Sequence, residues 1–125
     1  MKALQRILYV EDETDIQMVA EIALNEVGGF TVKTCSSGEE ALREAEAFAP
    51  DLLLLDVMMP GMDGPSTLAA LRRLPSLAET PAIFMTAKVQ PSEVDHLKSI
   101  GALAVIAKPF DPMALAEQVR SVYGH

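Results

Sequence analysis

The chain of 125 residues has no tryptophan, one cysteine and two histidines, and aromatic residues make up only 5% of it. A lone Cys35 excludes an internal disulfide. As a nucleophile it would want a base, and the only histidines, His96 and His125, are not near it in sequence. It reads as a buried structural thiol. Basic residues are also scarce, with 10 Lys and Arg against 18 Asp and Glu, for a formal net charge of −8. That balance argues against direct nucleic-acid binding, which needs a Lys/Arg surplus facing the phosphates, and against an anionic membrane surface. No apolar run approaches the roughly 18 residues of a membrane span. The opening stretch MKALQRILYVEDE turns acidic without the apolar core or small-residue cleavage site of a secretory signal. A cytoplasmic location is therefore expected. Hydrophobic residues make up half the chain and charged ones 22%, enough to build the core of one domain, expected over 1–125.

Two kinds of segment alternate five times. Short runs rich in Val, Ile and Leu predict strands at Arg6–Val10, Phe30–Cys35, Asp51–Leu55, Pro81–Met85 and Leu103–Ile106. Between them lie stretches with helical spacing. The first, Glu13–Val27, places Ile16, Val19, Ala20, Ala23, Leu24 and Val27 on one face and stops at Gly28-Gly29. The second opens with a capping box, Ser37 and Glu40, continues through Ala41, Leu42, Ala45 and Phe48, and ends at Pro50. Asp63 can cap a third helix bearing Leu68, Leu71 and Leu74. Pro91–Ile100 predicts a fourth, closed by Gly101. Asp111 with Pro112 predicts the start of a fifth, with Leu115, Val119 and Val122 inward. The DLLLL run does not alternate, as expected of a strand covered on both faces. Five such units predict a doubly wound α/β domain with a parallel sheet.

In an open parallel sheet, ligands bind beyond the carboxyl ends of the strands. There the sequence places Glu11 and Asp12 after strand 1, Asp56 after strand 3, Thr86 after strand 4 and Lys108 after strand 5. Two carboxylates about 4 Å apart repel by about 4 kcal/mol at an effective dielectric near 20. A hard divalent cation turns that repulsion into a binding site, and oxygen ligands with room for water suit Mg²⁺. The ammonium and the hydroxyl suit a phosphoryl group, and an Asp beside such a cation is a reasonable nucleophile.

These residues, from ILYVEDE through LLLLDVMMPGMDG and IFMTAK to AVIAKPFDP, resemble the receiver domain of two-component response regulators, chemotaxis-regulator-like, along the whole chain. The resemblance implies a flavodoxin-like (βα)5 fold with sheet order 2-1-3-4-5. It implies Asp56 as the phosphoacceptor, with Mg²⁺ held by Asp12, Asp56 and the backbone carbonyl of Met58, and by Glu11 through water. It implies Lys108 on the phosphoryl group, followed by a cis bond to Pro109, and Thr86 with the Ala87 backbone N–H on the phosphoryl oxygens. The implied partners are a sensor histidine kinase or a histidine phosphotransfer protein and a downstream protein that reads the surface of helix 4, strand 5 and helix 5. One position departs from the family: three residues before the lysine, Val105 stands where Tyr or Phe is usual. Met58 and Lys88 occupy positions that tune self-dephosphorylation in the family.

Other readings have less support. A phosphatase of the haloacid dehalogenase type also puts an Asp after a strand, but wants a second Asp two residues on, where this chain has Met58. No G-x-G-x-x-G or P-loop is present for a nucleotide. A phosphorylation-independent interaction module leaves the acids and Lys108 without a purpose, although Val105 is compatible with it.

Overall fold

The computed structural model describes residues 3–124; His125, weighed above as a base, and the ends of the expected 1–125 domain lie outside the described residues. Five strands, β1 (Arg6–Val10), β2 (Thr31–Cys35), β3 (Leu52–Asp56), β4 (Ala82–Thr86) and β5 (Ala104–Ala107), form one sheet in the order β2-β1-β3-β4-β5. Every pairing is parallel. Between the strands and after the last come helices α1 (Thr14–Glu21), α2 (Gly38–Phe48), α3 (Gly64–Leu71), α4 (Pro91–Ser99) and α5 (Leu115–Tyr123). This is the flavodoxin-like architecture and strand order expected.

The side-chain period of two sorts the core into two layers. Ile7 and Tyr9 of β1, Leu52 and Leu54 of β3, and Ile83 and Met85 of β4 pack with Leu24, Leu115 and Val119 on one face. Leu8 and Val10, Leu53 and Leu55, and Ala82 and Phe84 pack with Ala41, Leu68 and Leu97 on the other. All five residues of β3 are buried, which explains its unbroken apolar run.

Several boundaries differ from the sequence reading, each for a local reason. The regular pairing of β3 begins at Leu52; Asp51 just before it ties the strand to β1, its N–H donating to the Arg6 carbonyl (2.8 Å) and its carboxylate accepting the backbone N–H groups of Gln5 (3.0 Å) and Arg6 (2.9 Å). β4 begins after Pro81, which has no N–H to donate. Phe30 precedes β2 because its N–H closes the preceding helix on the Leu24 carbonyl (3.0 Å). α1 runs on into a π-helical stretch, Ile22–Val27. The wider π turn shifts the phase of the apolar stripe, so Val27, expected inward, is half exposed; Val19, also expected inward, is exposed too, on α1 ahead of that stretch. α5 starts at Leu115, after a turn over residues 112–114, not at Pro112. Asp111 still caps that turn, its Oδ1 accepting from Met113 N–H at 2.9 Å. The Ser37 and Asp63 caps form as expected, accepting from Glu40 N–H (3.1 Å) and Ser66 N–H (2.8 Å). Cys35 is fully buried, and burial, with Glu40 nearby, pushes its thiol up to about 11.

Candidate phosphoryl and metal site

The parity that sorts the core also aims the site. Continuing each strand by its period of two, Glu11 follows Ile7 and Tyr9, Asp56 follows Leu52 and Leu54, and Lys108 follows Ile106. All three side chains leave the sheet on the same face. The ladder holds them there: Glu11 N–H donates to the Cys35 carbonyl (3.0 Å) and Lys108 N–H to the Thr86 carbonyl (2.9 Å). Lys108 Nζ is shared between Glu11 Oε1 at 2.9 Å and Asp56 Oδ1 at 3.0 Å. Glu11 is fully buried and Asp56 is 3% exposed. The remaining Glu11 oxygen, Oε2, accepts the Glu13 N–H at 3.2 Å.

Carboxylate oxygens of Glu11, Asp12 and Asp56 lie within 4.8 Å of one another. Three acids therefore face one ammonium, an excess of negative charge in a largely buried place. An all-oxygen cluster with a partly exposed member, Asp12, fits a hard cation that keeps some of its water. Burial raises the Asp56 carboxyl to about 6 from an ordinary 3.8; the hydrogen bond from Lys108 opposes the rise and the charge of Glu11 adds to it. Burial alone would lower the Lys108 ammonium, but its bonds to Glu11 and then Asp56 outweigh that and hold it above its ordinary value. Lys108 is thus a fixed positive charge.

Thr86 ends β4 buried, on the opposite parity, and its Oγ1 accepts the Lys88 N–H at 3.0 Å. Its own O–H stays available as a donor. Ala87 and Lys88 follow it at the surface, and Met58 turns its side chain outward, 66% exposed. The bond Lys108–Pro109 is cis, as the resemblance implied.

Two neighbours were not singled out in the sequence. The Gln17 amide donates to the Glu11 carbonyl and, at 3.1 Å, to Ser36 Oγ, tying α1 to the start of the site. Tyr9, two residues before Glu11, is fully buried on the same face. Its spacing from Glu11 was the available signal, masked because aromatic residues suit any strand.

Residues 7–120 match the response regulator receiver domain, and the chain belongs to that family. Phosphoryl acceptance in two-component signalling is the family's general activity, and its members generally bind Mg²⁺. The chain is 39% identical over 117 residues to the transcriptional activator protein IrlR of Burkholderia pseudomallei, covering 94% of this chain and 49% of that one. It is 36% identical over 118 residues to the alkaline phosphatase synthesis transcriptional regulatory protein PhoP of Bacillus subtilis, covering 94% and 48%. It thus spans about half the length of these curated relatives. Among solved structures, it is similar to the chemotaxis protein CheY4 of Vibrio cholerae, with a TM-score of 0.88 at 30% identity, covering 96% of this chain and 99% of that one. A CheY-like receiver domain protein of Methanospirillum hungatei gives a TM-score of 0.81 at 28% identity, covering 98% and 95%. Among the described residues, no helix is long and apolar enough to cross a membrane.

Proposed function

We propose that this domain accepts a phosphoryl group on Asp56 from a phosphohistidine of a sensor kinase or phosphotransfer protein, and that the modified domain is read by a partner protein. One observation carries this reading: Lys108 bridges Glu11 and Asp56 at 2.9 and 3.0 Å beside a three-carboxylate cluster. An Asp56 oxygen attacks phosphorus, the new P–O bond forms as the P–N bond breaks, and the imidazole nitrogen keeps the electron pair. Lys108 needs little movement to reach the phosphoryl oxygens, and the Thr86 O–H and Ala87 N–H are the donors for the others. Asp12, Asp56 and the Met58 carbonyl, with Glu11 through water, are the residues that would hold Mg²⁺, which supplies positive charge where the phosphoryl oxygens meet the carboxylates. The domain is then a phosphoacceptor that modifies itself, not a turnover enzyme, with slow self-dephosphorylation returning it to the start. A cytoplasmic setting fits such a partner.

Val105 shapes the output. It is half-buried against the layer of Leu97 and Ala102, and a β-branched side chain there has few rotamers to exchange. Within the surface of α4, β5 and α5, the change on phosphorylation therefore falls on the stretch from Lys88 to Leu97 more than on the Val105 side chain. The excess of acid argues for a protein partner over direct contact of this domain with nucleic acid.

The metal assignment is tested by Mg²⁺ titration of wild type and Asp12→Ala. The variant should bind at least about tenfold more weakly, the lower end of what even outer-shell partners contribute, and should be labelled more slowly by acetyl phosphate. Equal titrations would contradict the assignment.

A further inference from the structure

We propose that the open edge of β2, with the groove beside it, is a docking site for an extended, basic segment of a partner protein. The site lies apart from Asp56 and does not depend on its phosphorylation. The first observation is the edge itself. β2 pairs only with β1. Thr31 N–H donates to the Gln5 carbonyl at 2.8 Å, and the Cys35 carbonyl accepts from Glu11 N–H at 3.0 Å. In a parallel ladder such bonds fall on every second residue, so Thr31, Lys33 and Cys35 face β1. Val32 and Thr34 turn their N–H and C=O groups outward, and no group among the described residues bonds them. A row of this kind can pair with an added strand.

The second observation is what borders the edge. A groove of about 550 Å³ runs between β2 and the helix formed by α1 and its π-helical continuation. Met18 and Ile22 stand on its helix side, each more than half exposed. Thr34 lines its strand side, and the Thr34 hydroxyl is closed to water without a hydrogen-bond partner, an uncommon state for such a group. The third is charge. Glu21 and Glu26 also line the groove, and neither has a basic partner among the described residues. The Lys33 side chain leaves on the opposite face, where Glu44 holds it at 3.4 Å. The groove therefore suits Lys or Arg, whose stems cover Met18 and Ile22 while their charged ends reach the two acids. A second copy of the chain fits less well. Antiparallel pairing through β2 would set both grooves on one side of the joined sheet and bring their like-charged rims together.

The probe is a capped peptide of about seven residues, with Lys, Ile and Lys at alternate positions and Thr between them, so that the long side chains share one face. In the ¹⁵N-labelled domain, the Val32 and Thr34 amide protons should shift and become slow to exchange when the peptide binds. The Lys33 amide, which already faces β1, should keep the protection it has. A peptide with Glu in place of both Lys should bind at least about fivefold more weakly, the combined worth of two exposed ion pairs. The Lys peptide should lose as much on the double variant Glu21→Lys, Glu26→Lys; the peptide exchange makes the same comparison without altering the domain. No binding of the Lys peptide, binding that leaves the Val32 and Thr34 amides untouched, or equal affinity for the two peptides would overturn the proposal. Protection of those amides that rises with protein concentration alone would overturn it too, and assign the edge to a second copy.

Discussion

Asp56 stands where burial and two neighbouring acids oppose its charge, and a single ammonium supports it. Without metal, the folded domain holds the Asp56 proton more tightly than the unfolded chain, because its carboxyl is raised to about 6 from 3.8. Proton linkage then makes stability fall as pH rises from about 4 to about 6, and the loss persists above that window. A rise of this size corresponds to at most about 3 kcal/mol. In EDTA, Asp56→Asn should therefore gain stability relative to wild type as pH is raised from 4.5 to 7.5, by up to that amount, in urea unfolding followed by circular dichroism. Mg²⁺ should shrink the gap by stabilising the wild type alone. A difference constant across the range would show that the charge of Asp56 is not under strain. At this scale much was legible beforehand: Glu11, Asp12, Asp56, Thr86 and Lys108 each follow a readable strand. The pairing of Lys108 with Glu11 and the full burial of Glu11 were not, since both depend on which face the side chain leaves. Tyr9 and Gln17 were missed for that reason.

Elements hold the acids in place through close contact. β3 delivers Asp56 at its last position, and α3 begins eight residues later with Gly64 packed against the strand end. A Cβ on Gly64 would lie 2.4 Å from the Asp56 carbonyl oxygen and 2.9 Å from the Val57 Cα, both backbone atoms that cannot swing aside. Gly64→Ala should therefore lower stability by about 1 to 3 kcal/mol, the usual range for overpacking, and slow phosphorylation by displacing the acceptor. Unchanged urea midpoint and labelling rate would mean that the loop gives way freely. The glycine was visible in MMPGMDG, but its proximity to Asp56 is a tertiary contact. The strands and helices themselves were legible because their periods differ. Their ends were less so, being set by single hydrogen bonds: Asp51 gripping β1, Phe30 closing the first helix, Asp111 capping a turn before α5. The π-helical stretch carried no signal a 3.6-residue period could show, so Val27 was misplaced.

Across the molecule, the same alternation that fills two core layers brings one acid or base from each of β1, β3 and β5 to a common point. The sheet order does the rest, because it sets β1 and β3 side by side and β5 two strands from the phosphoacceptor. That order came from resemblance, not from the pattern of apolar residues, which any order of five βα units would satisfy. The central claim is that this point is where a phosphoryl group is received. Its most direct test is to label the domain with acetyl phosphate and Mg²⁺, reduce the acyl phosphate with borohydride, and sequence the peptides by mass spectrometry. The account predicts homoserine at position 56, formed only with Mg²⁺ and absent from Asp56→Asn. A label at another residue, or no label in the wild type under these conditions, would contradict it.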